Sequence, residues 1–364
     1  VMEVTTGTGR NAGIRFSRTE LTGALGDSVT VLPVVVAVAA LTDLSLARLL
    51  LGFAVFQVVW GLYYGLPVSV EPMKALAALV IAGGLGSGEL AVAGLLIGAT
   101  LLVVGVTDTL SRVEAFIGQP VVRGVQLAVG LVLLETGVRL SFDGPIYAVV
   151  ALVVVAGSVV AGRRRVSALL VLLFGVVIAV ATTGVPTLQA PALGVALPSA
   201  AGLSVGVAGA TAAQLAMTVG NAAVATSLLL TDYYDADVSA DDLATSMGVM
   251  NLLAVPFGAL PMCHGSGGVA GKYAFGARTA GSNLILGGIF GLAAVAGVGV
   301  VAAFPLAILG VILAVVAVEL CRAGVDTADL PLAVGVGVVG VTTNIGAAFL
   351  LGIAVHQLRS VSAE

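Results

Sequence analysis

Two prolines, Pro67 and Pro72, stand five residues apart inside a sequence that is otherwise apolar enough to cross a membrane. A helix cannot run through both, because proline lacks the amide that a helix interior needs and its ring clashes with the preceding turn. The first helical position tolerates proline, so we predict extended backbone over 67–71 and a short helix from Pro72 to about Ala82. At membrane depth, such backbone persists only where protein buries it or where it lines a wet cavity.

A second stretch, from Phe257 to Lys272, has the same character. It reads FGALPMCHGSGGVAGK, with a proline and a glycine cluster in place of a helical pattern. Interrupted spans at corresponding places in two halves of a chain indicate a transporter's binding site. We therefore expect two half-helices, beginning at Pro72 and near Ser266, each preceded by a short strand, whose N-termini face each other near the bilayer midplane.

The composition predicts an all-α polytopic membrane protein without a soluble domain. Hydrophobic residues make up 59% of the chain and charged residues 9%, whereas soluble proteins carry about 25% charged residues. Because a span needs about 20 apolar residues, and a half-helix fewer, the sequence divides into spans near 20–41, 46–64, 67–83, 89–107, 120–140, 145–161, 166–183, 208–231, 241–258, 261–280, 283–302, 305–322 and 331–356. The last run is long enough to divide within 340–346, which makes the count seven plus seven.

This count predicts an inverted repeat, because units with an odd number of spans must lie antiparallel in the membrane. Asp27 and Asn221 are 194 positions apart, and so are Pro67 and Pro261. The predicted organisation is a cytoplasmic tail (1–19), a first repeat (20–183), an external connection (184–207), a second repeat (208–356) and a cytoplasmic tail (357–364).

Basic residues in the short loops predict the orientation in the membrane. If the N-terminus is cytoplasmic, the predicted outer loops contain only Arg48 and Arg139 as basic residues. The inner side collects Arg10, Arg15, Arg18, Arg112, Arg163, Arg164, Arg165, Arg278, Arg322 and Arg359. We therefore expect a multi-pass protein of the plasma membrane with both termini in the cytoplasm.

The two lysines of the chain, Lys74 and Lys272, both fall in the interrupted stretches. Ionisable groups within a bilayer are costly and usually functional. Lys74 either pairs with Glu71, three residues earlier, or attracts a bound anion. Lys272 either has a role in the site or extends its ammonium to the membrane interface.

The segment from Gly265 to Gly268 places small residues at a predicted helix start. Unpaired amides and the positive end of the helix dipole bind anions there, although glycine clusters also serve close helix packing. Cys263 and His264 are adjacent and point apart on extended backbone, so we expect neither a metal site nor a cofactor.

Other polar residues in apolar helices either line a central cavity or pack helices together. The predicted substrate-binding set is Ser69, Glu71, Lys74, His264, Gly265, Ser266, Gly267, Gly268, Asp27, Asn221 and Gln126. Glu135 and Glu319 stand near helix ends, where a carboxylate is either solvated or couples transport to protons. Gln214 is a further lone polar residue for which both interpretations stay open.

At the two interrupted stretches the sequence resembles the molybdate transporter family, which is related to the sulfate permeases. The matching residues run from Tyr64 to Lys74 (YGLPVSVEPMK) and from Phe257 to Arg278. Weaker matches lie at Gly23–Asp27 (GALGD), at Pro120–Gln126 (PVVRGVQ) and around Asn221. The sequence departs from the family pattern at Glu71, where the resemblance implies glutamine.

The resemblance implies a seven-plus-seven fold whose third and tenth spans each join a strand to a half-helix. Sulfate permeases also carry a regulatory domain after the last span; only about eight residues (357–364) follow it here, which favours the molybdate branch. We expect a secondary transporter that imports molybdate, with sulfate or tungstate as the alternative substrate. The other partners expected are membrane lipid and a second copy in a possible homodimer, and no nucleic acid.

An anion channel on the same half-helices is an alternative in another functional class. An enzyme is disfavoured, because the sequence shows no metal cluster, nucleophile–base pair or nucleotide-binding loop.

Overall fold

A computed structural model of the chain describes residues 14–184, 188, 190–192, 194–195 and 204–363. Most of the predicted N-terminal tail and of the predicted 184–207 connection lies outside these residues.

The first half of the described chain forms eight helices. They are α1 (Arg18–Leu41), α2 (Leu46–Tyr64), α3 (Lys74–Ile81), α4 (Ser87–Val106), α5 (Leu110–Ile117), α6 (Gln119–Ser141), α7 (Pro145–Val160) and α8 (Ser167–Thr183).

The second half begins with α9 (Val205–Met217), which continues through a π-helical segment (Thr218–Val224) into α10 (Ala225–Tyr234). The remaining helices are α11 (Ala240–Ala254), α12 (Ser266–Ala274), α13 (Gly281–Ala296), α14 (Val298–Ala302), α15 (Leu306–Val325), α16 (Leu330–Thr342) and α17 (Ile345–Ala363).

Six of the described helices are long and apolar enough to cross a membrane by length and composition. They are α1, α2, α4, α6, the continuous helix Val205–Tyr234 and α15. Five shorter apolar helices accompany them. The helical, polytopic character that the composition predicts is therefore confirmed.

Both interrupted stretches contain a short strand followed by a half-helix, as predicted. Strand β1 (Glu71–Pro72) pairs antiparallel with β2 (Met262–Cys263), and Glu71 lies opposite Cys263. The prediction that the first half-helix begins at Pro72 is wrong. The ladder continues past Pro72, because the Met73 amide donates to the Pro261 carbonyl at 2.9 Å, and α3 begins only at Lys74.

Polar side chains from neighbouring helices hydrogen-bond the non-helical backbone. An unpaired peptide group within the hydrocarbon region costs several kcal/mol, and three amide side chains supply partners. Gln57 donates to the Val70 carbonyl (3.2 Å), Asn283 donates to the Val68 carbonyl (2.6 Å), and Asn251 bonds both the amide and the carbonyl of Met262 (2.8 and 2.7 Å). Protein side chains thus satisfy the backbone before β1 and within β2.

Two boundaries differ from the sequence prediction. The amphipathic helix α5 lies between α4 and α6 and was not predicted, because it is only eight residues long. The final apolar run divides at Thr343 and Asn344, inside the predicted interval, but α17 continues as a helix to Ala363, where we predicted a tail from 357.

Caps and turns recur at nearly constant spacing in the two halves. Ser45 and Ser239 precede α2 and α11 and are 194 positions apart. Left-handed glycines follow these helices and the half-helices. Gly65 and Gly258, and likewise Gly83 and Gly276, are each 193 apart. The spacing agrees with an internal repeat to within one residue of the predicted 194, and the two-fold superposition stays a prediction.

Candidate functional site

A cavity of about 1280 Å³ lies where the two half-helices meet. Its wall includes residues of α1, α6, α8, α9, the π-helical segment and α15 in addition to α3 and α12. One end reaches the turn between α7 and α8, where Arg163 is exposed. The cavity therefore connects the half-helices with the protein surface at that turn.

Positive charge exceeds negative charge along this cavity. Among the described lining residues there are four cationic side chains and two carboxylates, which leaves a formal excess of two positive charges. These residues are Lys74, Arg123, Arg163 and Arg164, against Glu71 and Glu319. Such a field raises the local concentration of anions.

The N-terminus of α12 lies on the cavity wall. His264, Gly265, Ser266 and Gly267 all line the cavity. The first intrahelical bond runs from the Val269 amide to the Gly265 carbonyl, so the Ser266 and Gly267 amides have no intrahelical partner, and amides in this position bind anions.

The N-terminus of α3 is closed by a side chain from the other half of the chain. The Gln214 Oε1 accepts hydrogen bonds from the amides of Ala75 (2.9 Å) and Leu76 (3.3 Å). Gln214 is itself held by Thr218, which accepts from its Nε2 at 3.0 Å. The structure thus assigns Gln214 a helix-capping role and leaves α3 to contribute its lysine to the cavity.

Glu71 bridges the two half-helices. Its Oε2 is 2.6 Å from the Lys74 Nζ, and its Oε1 accepts from the Gly268 amide at 2.6 Å. The Glu71 side chain is 1% exposed, whereas that of Lys74 is 27% exposed. Gly268 does not line the cavity, because Glu71 covers its amide.

Lys272 lies in a fully buried network away from the cavity wall. Its Nζ is 3.0 Å from the Asp27 Oδ2, and both side chains are 0% exposed. The ammonium also donates to Gln57 Oε1 (3.1 Å), to the Val68 carbonyl (2.9 Å) and to Asn283 Oδ1 (2.8 Å). The expectation that Lys272 extends to the membrane interface is wrong, because these oxygens satisfy its ammonium inside the protein.

Asp27 and Ser69 belong to this buried network and are not on the cavity wall. The Ser69 hydroxyl donates to Asp27 Oδ1 at 2.6 Å, and both side chains are fully buried. Sequence reasoning placed both in the substrate site. In the structure Asp27 pairs with Lys272 and Ser69 bonds Asp27, so both lie behind the cavity wall, and their role in substrate binding stays a prediction.

His264 lines the cavity, but its ring is engaged on both sides. One ring nitrogen lies 2.7 Å from the Ser246 hydroxyl, and the other lies 3.0 Å from the Ser69 carbonyl. The side chain therefore fixes the backbone before α12, and its neighbours Gly265 to Gly267 present the peptide groups.

Asn221 and Gln126 lie on the cavity wall, as expected for lining residues. Asn221 belongs to the π-helical segment, a geometry that is frequent at functional sites, and its Nδ2 has no hydrogen-bond partner among the described residues. Gln126 accepts from Arg123 at 3.0 Å. Sequence reasoning missed Arg123, although it lies inside the quoted PVVRGVQ motif.

The two coupling candidates lie apart from the half-helices. Glu319 pairs with Arg164 at 2.6 Å near the cavity's surface end, and its side chain is 57% exposed. Glu135 is exposed beside Arg139 in a separate, mostly apolar surface depression. Neither carboxylate contacts Lys74 or the start of α12.

A polytopic helical chain with half-helices meeting at a positively charged cavity has the architecture of a membrane transporter. This chain belongs to the molybdate transporter family. The family's sequence model, described as molybdate transporter of the MFS superfamily, matches residues 19–133 and 206–320. The family to which the interrupted stretches pointed is therefore confirmed, and the protein is a multi-pass membrane transporter and not an enzyme.

Curated relatives and solved structures agree with this assignment. Molybdate transporter 2 of Arabidopsis thaliana is 31% identical, over 84% of this chain and 79% of that protein. Molybdate transporter 1 of Arabidopsis thaliana is also 31% identical, over 87% and 82%.

The fold is similar to the transmembrane domain of the cyanobacterial bicarbonate transporter BicA, with a TM-score of 0.67 and 18% identity over 93% of this chain and 95% of that chain. It is also similar to SLC26A9, with a TM-score of 0.73 and 14% identity over 95% and 65%. These likenesses concern the fold alone.

Proposed function

We propose that this protein is a secondary active transporter that imports molybdate across the plasma membrane. The observation that carries the proposal is the positively charged cavity at the meeting point of the half-helices. The 31% identity to two plant molybdate transporters supports molybdate as the substrate. Sulfate and tungstate share the charge and tetrahedral shape of molybdate, so they are the nearest competitors.

The anion is held near the midplane by unequal contributions from the two half-helices. Lys74 supplies a charge from α3, and the first turn of α12 supplies amides, since Gln214 occupies the Ala75 and Leu76 amides of α3. The arrangement avoids a closed ring of cations, which would bind a dianion too tightly for release.

The cavity opens at the α7–α8 turn, which carries Arg163 and Arg164. We assign this side to the cytoplasm because positive charges concentrate in cytoplasmic loops, so the structure faces inward with both termini inside. The inverted repeat and a homodimer are parts of the same proposal. The spacing of the caps and the family model's match to both halves support the repeat.

Uptake into proteoliposomes tests the function. Labelled molybdate should accumulate above its external concentration when an ion gradient is imposed, and excess sulfate or tungstate should compete according to affinity. Uptake that only equilibrates the anion would overturn active transport and favour a passive pathway such as a channel. Absence of molybdate uptake together with uptake of sulfate would reassign the substrate.

A further inference from the structure

The carboxylate of Glu71 holds together the two groups that the proposed anion site requires. One of its oxygens contacts the Lys74 ammonium and the other contacts the Gly268 amide, each at 2.6 Å. A tetrahedral oxyanion would present two oxygens to a cation and a helix-end amide in the same way. Glu71 therefore has the chemistry of a bound anion that the chain itself supplies.

The wall around this carboxylate is shaped to fit it. A Cβ added at Gly265 would overlap the Glu71 carboxyl group, so this glycine is needed for its close approach. A Cβ added at Gly268 would overlap Asp27 and Ser69 first and Glu71 Oε1 after them. At Gly267, which lines the cavity, an added Cβ would meet only the Glu71 Oε1, at 3.8 Å. The Glu71 carboxylate is therefore closely packed against Gly265 and lies at the edge of the cavity.

Glu71 and a bound dianion cannot share these partners. The carboxylate already satisfies the Lys74 ammonium and the Gly268 amide, and a second anion beside it would meet like charge in a poorly hydrated place. Glu319, the other carboxylate on the cavity wall, pairs with Arg164 and does not contact Lys74 or Gly268. Of the two carboxylates on the cavity wall, Glu71 is therefore the one that competes with a bound anion for Lys74 and Gly268.

We propose that Glu71 is a tethered competitor for the oxyanion site: it occupies the Lys74 and Gly268 contacts in the empty transporter, leaves them when substrate binds, and returns to displace the substrate at release. The proposal rests on the proposed function. It adds a specificity-determining residue, because an entering anion must outcompete a carboxylate that is already in place.

Direct binding of molybdate to the purified, detergent-solubilised protein tests this role. We expect Glu71→Gln to bind molybdate at least about tenfold more tightly than wild type, since a neutral amide competes weakly for a cation. Glu319→Gln is the matched control, because it removes one negative charge from the same cavity, and we expect its affinity to change less than threefold. Counterflow with the Glu71→Gln protein should be slower than with wild type, because release loses its displacing group.

Glu71→Ala serves as a second variant if the glutamine variant does not yield folded protein. The proposal is overturned if both folded Glu71 variants bind no more tightly than wild type, or if Glu319→Gln gains as much as Glu71→Gln. Failure of wild type itself to bind or transport molybdate, sulfate or tungstate would overturn the proposed function instead. The two failures are therefore distinguishable.

Discussion

The half-helices α3 and α12 hold corresponding places in the two halves, yet they use their polar groups in opposite ways. In α3 the first amides are capped by Gln214, and the lysine reaches the cavity. In α12 the first residues line the cavity, and the lysine is enclosed by oxygens. Charge and amides thus reach the cavity from different halves of the chain, so the proposed anion site is complete only where the halves meet.

The burial of the two lysines explains this division. Lys272 and Asp27 are both 0% exposed, and several further oxygens surround the ammonium. Lys74 is 27% exposed, and Glu71 is the partner that the described residues supply. An ammonium with many fixed partners stabilises the fold, whereas one with a single partner can exchange it for a ligand.

The largest expected effect is the loss of stability on Lys272→Met. The change leaves Asp27 as an unpaired buried carboxylate, and breaking a buried pair in this way costs about 3–5 kcal/mol. The apparent unfolding temperature of the purified protein in detergent should fall strongly, or the protein should fail to accumulate. Adding Asp27→Asn should recover part of the loss, because it removes the unpaired charge.

Lys74→Met is the matched comparison for that experiment. If its unfolding temperature falls as far as that of Lys272→Met, the two lysines do not differ in role, and the division described above is wrong.

The second expected effect is the loss of molybdate affinity on Lys74→Met. Lys74 carries the ammonium that lines the cavity beside the proposed anion site. Removing it should weaken molybdate binding by on the order of tenfold, which corresponds to about 1.4 kcal/mol. Titration of the folded protein with molybdate measures it. The double variant with Glu71→Gln should bind more tightly than Lys74→Met alone. Equal affinity in the two would show that Glu71 does not oppose the anion.

The sequence indicated the interrupted stretches because proline and glycine carry local backbone information. Pro67 and Pro72 exclude a continuous helix wherever the rest of the chain lies, so the broken spans followed from local chemistry. The helix start was misplaced by two residues, because the ladder to Pro261 is a contact across the halves. Such a contact depends on strand register, which local patterns do not contain.

The identity of the cavity residues was harder to predict than the fold. Asp27 and Ser69 are polar residues in apolar surroundings, as Asn221 is, and only the packing places them behind the wall. Gln57, Asn251 and Asn283 bond the broken backbone, and their signal was a lone amide in an apolar helix. The same signal marks cavity residues, so the sequence cannot distinguish the two roles.

The third expected effect separates the amides of α12 from its charge. Gly267→Ala adds a methyl group on the cavity side, where the structure has room for it, and leaves every charge in place. We expect molybdate affinity to fall by about fivefold, or about 1 kcal/mol, because the methyl keeps the anion from the first turn. Titration of the folded variant measures it.

Gly268→Ala is the comparison variant for Gly267→Ala. A methyl group there would overlap Asp27, Ser69 and Glu71, so it should lower the unfolding temperature. Wild-type affinity in Gly267→Ala would mean that the anion binds elsewhere and that the glycines serve packing.

The smallest expected effect concerns Asn221, which the second half contributes from its π-helical segment. Its Nδ2 is buried and has no hydrogen-bond partner among the described residues, and the residue lines the cavity, so we expect the amide to turn toward a bound oxyanion and donate to it. Asn221→Ala should therefore weaken molybdate binding by a few-fold, since one hydrogen bond contributes about 0.5–1.5 kcal/mol. Asn221→Asp should weaken it more, because the new carboxylate repels the anion while the side chain keeps its size. Titration of both folded variants with molybdate ranks their affinities. Gln214→Ala, which removes the cap of α3, is titrated beside them as a comparison variant. If the Asn221→Ala and Asn221→Asp variants bind molybdate equally well, Asn221 is remote from the anion. The second half of the chain then contributes only the amides of α12 to the anion site.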